Sequence, residues 1–364
     1  MTREPEKTPL AAYSLESLSN VIEAAGLERW RAGQIFEWFY KKGARSFEAM
    51  KNISAPVAAF LNSRFTPLSS GVAAAHDAGD GAVKLDIVLD DNVSIEAVVI
   101  ETARRVTLCV SSQAGCPLEC AFCATGQAGF ERNLEAHEIV EQALHASGTV
   151  EPGRRISHVV FMGMGEPCLN IDAVFDAIRT LNAPHAFGIG ARRITVSTLG
   201  YPACVDRIAE FPMEVGLAIS LHAATDELRR KLMPHAKADL EETIAGGRRY
   251  FAKTGREVTY EYVLLAGVND SERDAAALAR ALSGERAFVN LIPYNEVEGL
   301  DFRRPSERKA AGFKRALETR GINVEVRDSR GRGAKAACGQ LRFQKQVTPA
   351  EKRVAAVPGK SKRR

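Results

Sequence analysis

The chain has 364 residues, of which 45% are hydrophobic, and a net charge of +4 at pH 7. This length can bury a large core and suffices for two or three structural units. No run of about 18 apolar residues occurs, and residues 1–7 resemble neither a signal nor a transit peptide, so we expect a cytoplasmic protein with no membrane association. Seven cysteines in a reducing compartment point to ligands, catalysts or core residues, not a disulfide framework.

Residues 15–65 have a helical period, with Gly26 and Gly43 as stops, and predict a small helical domain over 1–66. Its second predicted helix interleaves aromatic and basic side chains, which suits stacking on RNA bases and pairing with phosphates. These residues are Trp30, Arg31, Trp38, Lys41, Lys42 and Arg45. Aromatic residues at helical spacing also fit an ordinary core, so both interpretations remain open.

The period then changes to strands. Residues 83–89 and 93–100 predict a β-hairpin, which we assign to an extension over 67–101. Another strand, 106–110, opens a core domain over 102–341, in which short apolar runs alternate with helical stretches. Further strands are predicted at 157–162, 194–197, 215–221, 258–264, 287–292 and 324–327. Repeated units of this kind predict an α/β fold, a partial (β/α)6 barrel with its active site at the C-terminal ends of the strands.

The strand at 106–110 runs into three cysteines, Cys116, Cys120 and Cys123, spaced x3 then x2. Thiolates hold iron–sulfur clusters, and three of them would leave one iron of a four-iron cubane open to another ligand. With Cys109 the same residues could instead form a closed, structural zinc site. Zinc cysteines usually come as two separated pairs, so the compact triplet favours the cluster.

Polar or glycine-rich residues follow several predicted strands, at 163–167, 197–198, 220–222 and 293–295. In a barrel these positions converge on the rim that holds the cysteine loop. A basic tail over 342–364 has eight Lys or Arg residues and one acid, and it could contact phosphate backbones or serve only as a solvated terminus.

These residues carry a resemblance that covers nearly the whole chain. The cysteine triplet with Gly-Met-Gly-Glu-Pro at 163–167 resembles the radical S-adenosylmethionine (SAM) superfamily. More closely, the chain resembles the RlmN/Cfr group of RNA adenine methyltransferases. The motifs that narrow the resemblance are Ser-Ser-Gln-Ala-Gly at 111–115, Arg-Asn-Leu at 132–134, Val-Ser-Thr at 196–198, Ile-Ser-Leu-His at 219–222, Asn-Leu-Ile-Pro-Tyr-Asn at 290–295 and Ala-Cys-Gly-Gln-Leu at 337–341. Residues 1–66 look like the accessory RNA domain of that family.

The resemblance implies a 4Fe-4S cluster on Cys116, Cys120 and Cys123, with SAM on the open iron. One-electron reduction would yield a 5′-deoxyadenosyl radical, which suits methylation of an electrophilic ring carbon. Two SAM molecules would be used per turnover. The residues implied for SAM binding are Gly165, Glu166, Ser197, Ser220, Leu221, His222 and Asn295.

The resemblance also implies three catalytic residues. Cys338 would accept a methyl group as S-methylcysteine, and the radical would convert it to a methylene radical that adds to adenine. Cys109 would release the product by forming a transient disulfide with Cys338, and Glu96 would accept the ring proton. Without the motif, Cys338 would be an inert thiol, Cys109 a core residue and Glu96 a solvent-side acid. We expect Cys168 and Cys204 to be packing residues, although Cys168 lies near enough to Glu166 for a site role.

The implied activity is methylation of carbon 2 of adenosine in 23S rRNA and in tRNA next to the anticodon, by a monomer supplied with electrons by a donor such as flavodoxin or ferredoxin. A Cfr-type enzyme acting on carbon 8 is the alternative within the family. A zinc-stabilised, non-catalytic RNA-binding protein and a radical enzyme without a methyl-carrying cysteine are the alternatives from other classes.

Overall fold

The computed structural model describes residues 7–327 and 329–342. The predicted basic tail, apart from its first residue Arg342, lies outside the described residues. Within the described ranges no helix is both long and apolar enough to pass through a bilayer.

Three helices and two short strands form the N-terminal region: β1 (Thr8–Pro9), α1 (Leu15–Ala24), α2 (Arg31–Phe36), α3 (Ala55–Arg64) and β2 (Phe65–Thr66). Helix α1 begins with a reciprocal capping box between Ser14 and Ser17, and its buried face carries Leu18 and Ile22. A π-helical turn, Glu37–Lys41, continues α2. The periodicity that predicted helices therefore corresponds to an amphipathic helical unit.

Three antiparallel strands follow: β3 (Gly71–Asp77), β4 (Ala82–Val88) and β5 (Ser94–Glu101). Strands β4 and β5 are the predicted hairpin, in a register that places Asp86 opposite Glu96. Strand β3 was not predicted; it pairs with β4 and is mostly exposed, so it lacks the alternating large apolar residues that signal a strand.

The remaining strands are β6 (Val106–Cys109), β7 (Gln113–Gly115), β8 (Phe130–Asn133), β9 (His158–Phe161), β10 (Ile194–Thr198), β11 (Gly216–Ser220), β12 (Val258–Leu264), β13 (Ala287–Pro293) and β14 (Asn323–Val326). The helices among them are α4 (Ala124–Gln127), α5 (Ala136–Ser147), α6 (Ile171–Asn182), α7 (Pro202–Glu210), α8 (Asp226–Leu232), α9 (Leu240–Thr254), α10 (Glu272–Ala281) and α11 (Glu307–Glu318). Each predicted core strand is present, and no strand end differs from its predicted position by more than one residue.

One ten-stranded sheet has the order β14-β13-β12-β11-β10-β9-β6-β5-β4-β3. From β6 to β14 all neighbours are parallel, while β5 and β6 are antiparallel. The α/β fold class and the open barrel are confirmed, and β14 extends the parallel ladder past the sixth strand. Because parallel strands share one direction, their C-terminal ends form a single rim, and this rim positions the candidate site.

Candidate active site

The cysteine loop joins β7 to α4 at the rim of the barrel. Cys116 is buried, whereas Cys120 and Cys123 are partly exposed. The loop needs glycine beside it: Gly115 has φ +77°, and a Cβ there would lie 2.1 Å from the Gly129 carbonyl oxygen. A Cβ on Gly126 would lie 2.8 Å from the Cys120 nitrogen.

The three thiols influence one another. Burial, with smaller contributions from the charges of Cys123 and Glu166, raises the pKa of Cys116 to about 12. Burial raises the pKa of Cys120 as well, followed by the charges of Cys123 and Cys116. Thiols whose pKa values are raised in this way become thiolates only with a cationic partner, and the iron ions of an iron–sulfur cluster would supply one. In the described residues no three His, Cys, Asp or Glu side chains are arranged to hold a single metal ion.

The loop after β9 carries Gly165 and Glu166. Glu166 is 3% exposed, and its carboxylate accepts hydrogen bonds from the backbone N–H groups of Cys168 and Leu199, each at 3.0 Å. Burial raises the pKa of Glu166 to about 7. The carboxylate therefore links its own loop to the end of β10 by hydrogen bonds. It also lies close enough to Cys116 to affect the pKa of that thiol.

Four of the predicted SAM-binding residues line one cavity of about 130 Å³. They are Ser197, Ser220, His222 and Asn295, and Phe122, Cys123 and Cys338 line the same cavity. Gly165 and Glu166 are not among the lining residues, and Leu221 points into the hydrophobic core. The structure thus brings four of the seven predicted SAM-binding residues together beside the cysteine loop. The other three, Gly165, Glu166 and Leu221, do not line this cavity.

His222 has a fixed ring. Its Nδ1 accepts the Val263 N–H at 3.0 Å, and its ring meets Phe122 edge to face with centroids 5.0 Å apart. Burial lowers the pKa of His222 to about 3, so the ring is neutral. With Nδ1 as acceptor, the proton resides on Nε2, which leaves a donor for a ligand.

Cys338 lies between two cavities, because it lines both the small one and a larger one of about 640 Å³ inside the barrel. Cys109, at the end of β6, lines the larger cavity. Burial raises the pKa of Cys109 to about 12, and the charge of Cys338 acts in the same direction. The two thiols are therefore neighbours across a sequence separation that no local motif could reveal.

Arg327 is a site residue that the sequence analysis missed, since it counted only as the end of a predicted strand. Charges at Cys338, Glu261 and Cys109 raise the pKa of its guanidinium, in that order of strength apart from the opposing effect of burial. Glu261 is 4% exposed and accepts a hydrogen bond from Asn290 at 2.8 Å. The buried carboxylate of Glu261 and the guanidinium of Arg327 thus lie near the two thiols. Sequence alone could not reveal this arrangement, because it depends on the packing of β12 and β14 in the same barrel.

Glu96 is 6% exposed and not the solvent-side acid its alternating strand alone would suggest. Its Oε1 lies 2.5 Å from Lys84 Nζ, and its Oε2 accepts the Arg342 N–H at 2.9 Å. Since Arg342 follows the Cys338 segment by a few residues, this bond ties the acid to that segment. Glu96 and Cys109 also share neighbours, because Val98 on β5 pairs with Cys109 on β6.

The expectation for Cys168 and Cys204 was wrong: the structure joins them in a disulfide. The bond connects the segment after Glu166 to helix α7, which lie 36 residues apart in sequence. The two cysteines were assigned to packing because sequence spacing gives no distance between separate βα units.

An open parallel barrel, with a cysteine-triplet loop beside a cavity that four strand-end polar residues line, defines a radical SAM enzyme. The radical SAM superfamily model matches residues 110–279, and the model for the ribosomal RNA large subunit methyltransferase N-terminal domain matches residues 8–66. The chain belongs to the RlmN family of RNA methyltransferases.

Relatives support this assignment along most of the chain. Probable dual-specificity RNA methyltransferases RlmN from Gloeobacter violaceus and Thermosynechococcus vestitus are each 45% identical over 92% of this chain, covering 95% and 98% of those proteins. A crystal structure of a radical SAM methyltransferase from Sphaerobacter thermophilus superposes with a TM-score of 0.90 at 42% identity, over 92% of this chain and 99% of that one. The predicted family is confirmed.

Proposed function

We propose that this protein methylates carbon 2 of an adenosine in 23S rRNA and of the adenosine next to the anticodon in tRNA, through an S-methylcysteine at Cys338. The observation that carries the proposal is the position of Cys338. Its thiol borders both the cavity beside the cysteine loop and the barrel cavity, with Cys109 as neighbour. A methyl carrier must reach a donor on one side and an acceptor on the other.

Cys116, Cys120 and Cys123 would hold a 4Fe-4S cluster and leave one iron for SAM. When bound, the cluster would supply SAM with the electron that starts radical chemistry. Ser197, Ser220, His222 and Asn295 offer hydroxyl, imidazole and amide groups to SAM from the small cavity. Gly165, Glu166 and Leu221 would contribute through backbone groups and by shaping the loops, and two SAM molecules would be used per turnover.

Cys338 would take the methyl group from the first SAM by displacement, with Arg327 close enough to stabilise the thiolate. After the methyl carbon has bonded to the adenine ring, Cys109 would attack the sulfur of Cys338. The sulfur–carbon bond to the RNA would break with its electron pair left on the carbon, which takes up a proton to become the methyl group, and a disulfide between the two cysteines would form. The one unpaired electron left by the radical addition would pass to the bound cluster. Glu96 would accept the proton that leaves the ring carbon.

Basic groups support an RNA substrate. In the accessory region, over 1–66, Trp30 is 59% exposed and Arg31 stacks on it at 4.0 Å. Such groups suit phosphates and unpaired bases.

Not every basic residue of that region is available to RNA. Arg45 donates to the Leu144 carbonyl at 2.5 Å and so anchors the N-terminal helices to α5. We further propose a cytoplasmic monomer and an electron donor such as flavodoxin or ferredoxin.

Mass spectrometry of nucleosides from cells with and without the protein tests the proposal. We expect 2-methyladenosine in 23S rRNA and tRNA only when the protein is present. Finding 8-methyladenosine alone would identify a Cfr-type enzyme. Methyl transfer that survives Cys338→Ala would show a radical enzyme with no cysteine carrier, and colourless protein with an oxygen-resistant metal would favour the zinc alternative.

A further inference from the structure

Lys84 shares its ammonium group between two carboxylates. Its Nζ lies 2.5 Å from Glu96 Oε1 and 3.7 Å from Asp86 Oδ1. Asp86 and Glu96 are directly opposite in the antiparallel pairing of β4 and β5, where two like charges would otherwise repel. The single ammonium is what makes this cross-strand pair of acids tolerable inside the sheet.

The polar contacts continue to the surface. His76 Nε2, on β3, lies 2.7 Å from the second oxygen of Asp86. The exposed fraction of the side chain rises along the row: 7% for Glu96, 12% for Lys84, 29% for Asp86 and 46% for His76. Three neighbouring strands therefore hold a row of four polar side chains, increasingly exposed, that starts at the proposed proton acceptor.

We propose that Lys84 is a positioning residue for Glu96, with Asp86 as its alternate partner. The inference rests on the proposed function of Glu96. While Glu96 is ionised, Lys84 holds it in place and stabilises its negative charge. When the ring proton neutralises Glu96, the ammonium moves the short distance to Asp86, so no charge is left without a partner. His76 keeps Asp86 in position for that exchange.

The surroundings of Glu96 explain why the ammonium matters. Burial raises the pKa of Glu96, Lys84 opposes that shift, and Asp86 adds to it. The C-terminal segment supplies one backbone donor, the Arg342 N–H. The segments after β6 and β9 supply Ser111 and Met164, which are uncharged and hydrogen-bond to the backbone of Glu96. Without Lys84, burial and Asp86 would together favour the protonated acid, which accepts no proton.

The test uses the full-length holoenzyme with its RNA substrate and follows single-turnover methylation across the neutral pH range. In Lys84→Met the acid limb of the rate profile should move to higher pH by about one unit or more. A covalent enzyme–RNA species should also persist, because the ring proton is not removed. Lys84→Arg should restore most of the wild-type profile.

A second variant, Asp86→Asn, should shift the acid limb in the opposite direction. Removing the charge of Asp86 leaves the ammonium wholly to Glu96, so the acid limb should move to lower pH. A merely structural defect cannot shift the limb in opposite directions in these two variants. Lys253→Met is the control for loss of a lysine, since Lys253 pairs with Glu210 between the outer helices α9 and α7.

Unchanged acid limbs in both Lys84→Met and Asp86→Asn, with a normal wild-type enzyme, would overturn this inference and leave the proposed function intact. Absence of RNA methylation by the wild-type holoenzyme would instead overturn the proposed function. If Lys84→Met does not fold, Lys84→Gln takes its place, with the same expected movement of the acid limb to higher pH.

Discussion

The substitution Gly165→Ala tests how tightly the Glu166 loop is packed against Gln113. The φ of Gly165 is +99°, and a Cβ would lie 2.6 Å from Gln113 Cβ and 2.7 Å from Gln113 Cγ. Gln113 cannot retreat without loss, because its Oε1 accepts the Glu166 N–H at 2.8 Å and its Nε2 donates to Asn133 at 2.7 Å. Gly165→Ala must therefore either strain the loop or break the bonds that hold Glu166.

The expected cost has two parts. The backbone conformation costs an alanine about 1–2 kcal/mol. Overpacking against Gln113 adds about 1–3 kcal/mol. We expect Gly165→Ala to lower the free energy of unfolding by about 2–5 kcal/mol and to weaken SAM binding, because the Glu166 loop borders the cysteine loop.

Urea unfolding of the cluster-free protein and equilibrium SAM binding to the reconstituted protein measure the two effects. Gly153→Ala is the matched control: Gly153 also has a positive φ, +85°, but nothing lies within 4 Å of a Cβ there. It should show the backbone cost alone. Equal destabilisation in the two variants, with SAM affinity unchanged in Gly165→Ala, would show that Gln113 does not crowd a side chain at position 165.

Three further predictions concern other contacts of the site. Replacing Cys168 and Cys204 by serine should lower the free energy of unfolding by about 2–4 kcal/mol, measured by urea unfolding under oxidising conditions, because the disulfide closes a 36-residue loop. Arg327→Gln should slow self-methylation of Cys338 at least about tenfold, followed by intact mass, because the cation that stabilises the thiolate is lost. Burial lowers the pKa of His145 to about 4 from an ordinary 6.5. The unfolded chain therefore binds this proton first, and stability is full above pH 6.5 and falls by up to about 3 kcal/mol as the pH drops toward 4. His145→Gln should remove that part of the pH dependence in urea titrations.

Each of these three has a result that would contradict it. The cysteine prediction fails if the double variant and the oxidised wild type unfold at the same urea concentration. The arginine prediction fails if Arg327→Gln is methylated at the wild-type rate, with the exposed Arg192→Gln as control. For the histidine, equal pH dependence in wild type and His145→Gln would show that the residue is already hydrated in the folded state.

The sequence predicted those helices and strands that bury at least one face. The helical period of residues 15–65, the hairpin of β4 and β5 and the short apolar runs of the barrel each bury one face or both, and burial leaves a period in the sequence. The cysteine spacing likewise predicted a loop with close sulfurs. Strand β3, rich in alanine and largely exposed, buries little and so left no such signal.

The parts that escaped prediction depend on distances between remote segments. Arg327 meets the thiols only because β14 lies in the same barrel as β6, and Cys168 meets Cys204 only because two βα units pack side by side. Lys84 is a further case. Its strand was predicted, but its partner Glu96 depends on the register of the hairpin, which the turn alone does not specify.

In the proposed function the methyl group travels to RNA on the sulfur of Cys338. Intact-mass analysis with peptide mapping, on holoenzyme purified without oxygen and incubated with SAM, measures this transfer. We expect one added methyl group located on Cys338, and its transfer to adenosine when RNA is supplied. A Cys338 thiol that stays unmodified while the RNA becomes methylated would contradict it.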